Sequence, residues 1–168
     1  MTQRKTIRKW FWVWDFEKEE RWLNVMAQTG WLLDGVGFAT YHFVPCTPGE
    51  YAVRLEMHPR DKSYIQFMQE TGAEYIGRMC QWVYFRKKTQ DGTFDLFSDL
   101  DSRIAHLDRI GKMLALIGVA NFLLGITNSI HVSSIGWVNL VCATLLMYAL
   151  GRIHGKKEAL EEKRRLTE

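Results

Sequence analysis

Cysteine is scarce in this chain of 168 residues. Its three cysteines are Cys46, Cys80 and Cys142, and no two of them form a C-x-x-C pair. An odd number of widely separated cysteines argues against a disulfide framework and indicates a reducing compartment. Each cysteine is therefore interpreted as a small apolar side chain that contributes to packing.

Charged side chains are missing from one long segment. They make up 24% of the chain, yet no residue from 113 to 150 is Asp, Glu, Lys or Arg. This absence argues against a wholly soluble protein, and the segment is too short for a transporter with many spans. It also removes the ionisable side chains at bilayer depth that mark an ion path or a proton relay.

The uncharged segment is predicted to form a transmembrane helical hairpin over residues 113–151. Two apolar stretches, 113–126 and 134–150, are separated by small and polar residues over 127–133. With their flanks, the stretches have roughly 17–20 residues each, the length that spans a hydrocarbon core about 30 Å thick. Lys and Arg precede the first span and follow the second, whereas the turn has neither. The positive-inside rule then places both termini in the cytoplasm; the alternative is a buried hairpin of a soluble domain.

Small residues recur every seven positions along both predicted spans. Such lines of small residues allow helices to approach closely in lipid. They predict the packing surface of the hairpin, and they leave open whether it packs on itself or on other hairpins. The residues concerned are Gly111, Gly118 and Gly125 in the first span and Gly136 and Ala143 in the second.

Two short segments flank the hairpin. Ser98 and Asp101 have the spacing of a capping box, which predicts a juxtamembrane linker helix over residues 98–112 that continues into the first span. Residues 152–168 alternate acid and base and predict a basic cytoplasmic tail, with six basic and four acidic side chains. The basic side chains of such a tail can contact anionic lipid.

Residues 1–97 alternate between strand and helix patterns and predict a cytoplasmic α+β domain. The expected strands cover residues 7–15, 31–44 (interrupted by glycines), 50–57 and 73–88 (a long strand or a hairpin), with helices after Asp15 and Pro59. When the chain is aligned with itself so that residue 22 lies over residue 64, five identities occur over residues 22–43, among them Met26 on Met68. Two related halves in the order βαββαβ predict a ferredoxin-like domain.

The first predicted strand carries three alternating tryptophans, which are therefore expected on one sheet face. Monomeric proteins rarely leave so large an apolar patch in water, so this Trp-rich sheet face is predicted to bind something. Its cover is protein (a second copy or another helix of the chain), a planar or lipid-like ligand, the membrane interface, or single-stranded nucleic acid. The face is expected to comprise Trp10, Trp12 and Trp14, Arg54 and Glu56 from the next strand, and Trp82 and Tyr84 from the last.

No residue pattern typical of catalysis or metal binding occurs. The five histidines have no H-x-x-x-H or H-E-x-x-H spacing. A P-loop, a G-x-S-x-G motif and a G-x-G-x-x-G motif are also missing. The sequence therefore predicts no enzyme, no metal and no cofactor. Nucleic acid is not an expected partner either, because residues 1–98 hold 13 basic and 12 acidic side chains.

Several segments resemble an uncharacterised bacterial domain family. They are the aromatic and acidic start over residues 11–20, then residues 49–51, 70–75, 82–86 and 96–99. Members of that family often end in a membrane hairpin, and their genes often neighbour PadR-type transcription regulators. The resemblance implies a bacterial cytoplasmic membrane and a regulatory role, and it transfers no catalytic residue.

Together these patterns predict a non-enzymatic, membrane-anchored adaptor or sensor. Its Trp-rich sheet face would bind a partner protein or a second copy, so a homo-oligomer is expected. A regulatory or transporter protein is the other expected protein partner, beside the lipid bilayer. The alternative is a small-molecule or lipid-binding module that feeds a membrane regulator or transporter.

Overall fold

The computed structural model of the chain describes residues 4–97, 99–131 and 133–167. It divides into two compact units, Met1–Leu96 and Phe97–Glu168. The first unit combines strands and helices, and the second consists of two long apolar helices. The predicted α+β domain followed by a helical hairpin is confirmed.

Each half of the first unit has the order βαββ. The first half contains β1 (Lys5–Arg8), α1 (Phe16–Gln28), β2 (Trp31–Gly37) and β3 (Thr40–Pro45), and the second contains β4 (Tyr51–Met57), α2 (Lys62–Glu70), β5 (Glu74–Met79) and β6 (Trp82–Lys88). Each half forms an antiparallel sheet with its last strand in the centre, in the orders β1-β3-β2 and β4-β6-β5. The order thus has one strand more in each half than the expected βαββαβ.

Two hairpins provide the additional strands. Residues 31–44, expected as one interrupted strand, turn at Phe38 and Ala39 so that β2 pairs with β3. Residues 73–88 form the hairpin that the sequence left as one of two possibilities, with its turn at Cys80 and Gln81. Each hairpin has a register shift next to the glycine of the repeat, Gly35 or Gly77, as a bulge requires.

The internal repeat is visible where the two helices end. Thr29 donates its Oγ1 hydrogen to the Met26 carbonyl at 2.9 Å, and Thr71 donates to the Met68 carbonyl at 2.7 Å. A glycine with positive φ follows each threonine, at +88° for Gly30 and +85° for Gly72. Glycine adopts this backbone without strain and stops a helix. The internal relationship inferred from the sequence is therefore a structural one.

The first half has an insertion of seven residues between its first strand and its helix. Ile7 pairs with Tyr41, and Glu56 pairs with Val83 at the equivalent place in the second half. Tyr41 and Val83 are separated along the chain by the length of the repeat, whereas Ile7 and Glu56 are seven residues further apart. The surplus lies in the connection that carries the first three tryptophans.

The strand expected over residues 7–15 is corrected by this insertion. β1 ends at Arg8, which pairs with Thr40, the first residue of β3. Beyond that point β3 has turned away, so the following residues find no neighbouring strand despite their strong strand preference. The chain instead leaves the sheet and makes a 3₁₀ turn over Val13–Asp15 before α1.

The core of the first unit covers both faces of β6. On one face, Val83 and Phe85 pack with Met68 of α2 and with Phe94. On the other face, Trp82 and Tyr84 are buried toward α1, and the rings of Trp82 and Phe16 lie 5.5 Å apart. Residues 82–85 of β6 are therefore buried on both faces and are used for packing.

The second unit pairs α3 (Leu100–His131) with α4 (Ser133–Thr167). Of the turn expected over residues 127–133, residues 127–131 belong to α3 and residue 133 belongs to α4, whereas residue 132 lies outside the described residues. At the start of α3, Asp99 accepts a hydrogen bond from the Ser102 N–H at 2.7 Å. Ser98, expected to cap the linker helix, also lies outside the described residues.

The outer surfaces of α3 and α4 are apolar. Both helices are long and apolar enough to cross a membrane, yet only 22% and 17% of their most apolar windows are buried. A helix in a soluble core would instead bury most of this surface. Large side chains such as Leu116 on α3 and Val138 on α4 point outward, with 73% and 62% of their surface exposed.

Candidate interaction surface

Two of the tryptophans in the insertion are exposed, together with a phenylalanine that the sequence analysis missed. Trp10 and Trp12 expose 54% and 47% of their surface, and Phe38 in the β2–β3 turn exposes 74%. The Trp10 ring makes edge contacts with Trp12 at 5.7 Å and with Phe38 at 5.6 Å. We call Trp10, Trp12 and Phe38 the aromatic surface.

Trp14 packs against the aromatic surface through Trp12. It is half-buried, and its ring stacks on that of Trp12 with centroids 5.0 Å apart and planes within 6°. The 3₁₀ turn holds this pair, because the Asp15 N–H donates to the Trp12 carbonyl at 2.8 Å. The insertion is therefore an ordered segment that presents its rings in fixed positions.

Basic side chains border the aromatic surface. A shallow cavity of about 480 Å³ lies beside Trp10 and Phe38, and Arg8 and Lys9 contribute to its wall with Ala39 and Thr40. Residues 4–14 include four basic side chains and no acidic one. The combination of exposed aromatic rings and a locally positive segment distinguishes this region.

The other residues predicted for the Trp-rich sheet face do not lie at the aromatic surface. The prediction that all of them share one sheet face is therefore wrong. Trp82 and Tyr84 are opposite Met57 and Leu55 on β4 and are buried with them, at 7% and 0% exposure. Directly paired residues share a face, whereas alternate residues along a strand point to opposite faces. Alternation along β4 therefore places Arg54 and Glu56 on the other side of the sheet. Glu56 is also buried, at 3% exposure.

Arg54 has a local partner in α1. Its Nη1 lies 3.5 Å from Glu20 Oε1 and donates to the Val53 carbonyl at 3.1 Å. Both carboxylate and guanidinium are about seven-tenths buried. Burial raises the pKa of Glu20, and the charge of Arg54 and the Leu55 N–H counteract that rise. Arg54 thus stabilises the contact between α1 and β4.

A buried carboxyl group lies between two tyrosines. Glu19 Oε1 accepts hydrogen bonds from the hydroxyls of Tyr41 at 2.8 Å and Tyr84 at 2.7 Å. Burial raises the pKa of Glu19, and the two hydroxyls act in the opposite direction. Burial and the neighbouring carboxylate also raise the pKa of each tyrosine. Since one helix and two strands meet here, we interpret the group as a structural connection between the two sheets.

The open edge of β4 is covered by polar side chains of α1. Asn24 accepts from the Val53 N–H at 2.9 Å and donates to the Val53 carbonyl at 2.8 Å, as a neighbouring strand would do. Glu20 Oε2 accepts from the Leu55 N–H at 3.2 Å. An uncovered edge invites pairing with another chain, so these contacts protect β4 from edge-to-edge association.

The five small residues of the hairpin lie between α3 and α4. A Cβ at Gly118 would come within 2.5 Å of Met147, and one at Gly125 within 2.7 Å of Leu140. A Cβ at Gly136 would overlap Ser129. Gly111 faces Leu150 with ordinary van der Waals space, and Ala143 is 4% exposed. This arrangement places the stripe within one hairpin.

Comparison with known proteins identifies the family. A family model described as a protein of unknown function, DUF2812, matches residues 15–119, which is more than half of the chain. The chain belongs to this family. No curated protein matches the chain, and neither does any solved structure.

Membership in DUF2812 confirms the resemblance to an uncharacterised domain family. The match begins at Asp15, so Trp10 and Trp12 precede it. The neighbouring PadR-type genes and the aromatic start stay predictions. Among the residues that the structure describes, no three His, Cys, Asp or Glu side chains come together as a metal site.

Phe38 was missed although a signal for it was present. The sequence allowed a hairpin over residues 73–88, and the internal repeat makes residues 31–46 their equivalent in the first half. A turn at residues 38 and 39 would have put Phe38 at a hairpin tip, where side chains are exposed. The contact between Phe38 and Trp10 had no such signal, because it depends on where β1 ends.

Proposed function

We propose that this DUF2812 protein is a non-enzymatic, membrane-anchored adaptor or sensor of the bacterial cytoplasmic membrane. In this proposal α3 and α4 cross the bilayer as a two-span anchor. The α+β domain stays in the cytoplasm and acts by binding. The membrane anchor is specified in this proposal, and the identity of the partner is left open.

The exposed apolar surface of α3 and α4 carries the proposal. Outward side chains such as Phe122 on α3 and Val141 on α4 are more than half exposed. Soluble monomers rarely leave so much contiguous apolar surface in water, whereas lipid tails cover it at no cost. The buried side of each helix is used for the partner helix, where the glycines permit close approach.

The charges at the helix ends support one orientation. The start of α3 and the end of α4 carry Lys112 and Lys157, both paired with Asp108 at 2.6 Å and 2.9 Å. Arg164 and Asp101 form a further bridge at 2.7 Å at the same end. Lys and Arg favour the cytoplasmic side, so both termini belong there and the tip belongs on the other side.

Binding by the domain is supported by its exposed aromatic surface. Aromatic side chains are enriched where proteins bind partners, because they provide large contact areas at little conformational cost. A second copy of the chain, a regulatory protein and a transporter all stay open as protein partners. One of them was expected to cover a sheet face, whereas the tryptophans lie beside the sheet.

Lipid binding is the second candidate, and the basic residues beside the aromatic surface favour it. Arg8 and Lys9 line the cavity next to Trp10 and Phe38. Protein partners have no particular need for this charge, whereas anionic lipid does.

Site-specific photo-crosslinking in membranes tests the adaptor proposal. A photoreactive phenylalanine analogue would replace Phe38 in the aromatic surface or, as a second exposed position, Phe67 on α2, which is 59% exposed. An adaptor predicts a protein adduct at one of these positions in the membrane fraction, with adducts of doubled mass if the partner is a second copy. The absence of protein adducts from both positions, or recovery of the chain in the soluble fraction, would contradict the proposal.

A further inference from the structure

We propose that the aromatic surface, with Arg8 and Lys9, docks onto the anionic lipid headgroups of the same bilayer that holds α3 and α4. The inference rests on the membrane anchorage proposed above and assigns lipid as the occupant of the aromatic surface. It concerns a binding surface that is separate from the hairpin.

First, the βαββ order does not require the segment that carries Trp10 and Trp12. The second half reaches the same βαββ arrangement with only residues 58–61 between β4 and α2. The first half has its insertion of seven in this place, and the insertion includes Trp10 and Trp12. The βαββ order therefore does not account for Trp10 and Trp12, whose exposed rings are available for binding.

The second argument is the match between these side chains and a membrane interface. Tryptophan and phenylalanine bind at the level of the headgroups, and neighbouring Lys and Arg add attraction to anionic lipid. Each basic residue near an anionic surface adds to this attraction. Arg4, Lys5, Arg8 and Lys9 supply that charge, with no acidic residue before Asp15.

The third argument is that a second copy is a poor occupant. Two copies that met through the aromatic surface would bring two sets of these basic side chains together. Like charges that face each other across an interface cost free energy. A negatively charged occupant removes the repulsion.

The fourth argument is the short tether. The α+β unit ends at Leu96, α3 begins at Leu100 and the uncharged part of α3 begins at Met113, so residues 97–112 join the domain to the bilayer. A domain held this close meets lipid at a high effective concentration, and a weak patch is enough to stay bound. Nucleic acid is also anionic, but no tether raises its effective concentration at the domain.

A fluorophore at the tip of the β2–β3 turn tests the docking. The full chain, with its three cysteines replaced, would carry Phe38→Cys labelled with an environment-sensitive dye. It would be placed in nanodiscs of phosphatidylcholine alone or mixed with phosphatidylglycerol. A matched chain would carry the dye at Cys80, the position that the internal repeat makes equivalent, in the corresponding turn of the second half.

Docking predicts that the dye at position 38 emits at shorter wavelength in phosphatidylglycerol discs than in phosphatidylcholine discs. The dye at position 80 should respond to neither. Arg8→Glu should weaken the response severalfold, and added salt should weaken it too, because both act on attraction to anionic lipid. Equal emission at position 38 in the two lipids, or no effect of Arg8→Glu, would overturn the proposal.

A second readout leaves Phe38 in place. In a chain with Trp137→Phe, headgroup-labelled quencher lipids should quench tryptophan emission more than in the same chain with Trp10→Phe and Trp12→Phe. Equal quenching in the two chains would also overturn the docking. A blue shift at position 38 that is independent of lipid charge would overturn it in favour of a second copy. Failure of the chain to enter nanodiscs would instead contradict the membrane anchor.

Discussion

Polar side chains of α1 determine how the two sheets of the domain are joined. Glu19 bonds Tyr41 and Tyr84, one residue from each sheet, while Asn24 and Glu20 bond the edge of β4. These are partly or fully buried groups, for which losing a partner costs more than gaining one stabilises. The domain is thus sensitive to single polar substitutions in α1.

Glu19 predicts a pH-dependent stability of the domain. Its pKa is raised in the fold because burial disfavours the charged form. A carboxyl group with a raised folded pKa costs no stability below its unfolded pKa, and stability falls as the pH rises from there through the folded pKa. Glu19→Gln should therefore reduce the loss of stability above pH about 4.5, measured by urea unfolding of the domain signal in detergent.

Glu20 is the comparison for this experiment. Its pKa is also raised, because burial outweighs the opposing charge of Arg54. By the same linkage, Glu20→Gln should also reduce the loss of stability above pH about 4.5, although it removes the ionic partner of Arg54. A Glu19→Gln chain with the same pH profile as the wild type would show that Glu19 does not carry the dependence.

The protected edge of β4 predicts that Asn24 contributes to the stability of the domain. Asn24→Leu keeps a side chain of similar size but removes both bonds to the Val53 backbone. We expect a loss of about 1–3 kcal/mol in the free energy of unfolding, because one N–H and one carbonyl lose partners. The matched control is Gln66→Leu, at the equivalent position of the internal repeat, where the side chain bonds only Glu70. Equal destabilisation by both variants would contradict the role of Asn24.

At the scale of elements, sequence patterns predicted the parts with strong local signals. The two helices of the domain end at Thr-Gly pairs, and glycine, threonine and the internal repeat are features of the sequence itself. The end of β1 was not predictable in this way. It depends on Thr40 being the last partner that β3 offers, which is a contact between residues distant in the chain.

The same reason explains the errors in the candidate site. Alternation along a supposed strand put Trp10, Trp12 and Trp14 on one face with Arg54 and Glu56. The register of β4 with β6 decides which residues share a face, and a sequence pattern does not contain that register. Trp10 and Trp12 are exposed as the expected patch required, whereas Trp14 is half-buried.

The hairpin makes a prediction at the scale of two packed helices. In Gly125→Ala the new Cβ would meet Leu140 at 2.7 Å on its side chain and 3.2 Å on its backbone nitrogen. We expect a cost of about 1–3 kcal/mol, since the helices must separate. Gly151→Ala, where nothing lies within 4 Å, should be neutral or stabilising. Unfolding in mixed micelles with increasing SDS measures both, and equal effects would contradict close packing at Gly125.

At the scale of the whole molecule, the chain combines a charge-balanced domain with a hairpin whose outer surface is apolar. The mean hydropathy of -0.19 conceals this division, because it averages the two units. The net charge of +3 likewise comes mostly from residues 152–168, which the proposed orientation puts in the cytoplasm. Both averages are typical of a soluble protein, and neither reveals the apolar outer surface of the hairpin.

Thiol labelling in intact cells tests the central claim, a two-span anchor with a cytoplasmic domain, most directly. In chains with one cysteine each, a membrane-impermeant maleimide should label Ile130→Cys near the end of α3 in intact spheroplasts. It should label Cys80 in the domain and Leu166→Cys near the end of α4 only after lysis; all three positions are exposed in the structure. Labelling of Cys80 before lysis, or of Ile130→Cys only after it, would contradict the account.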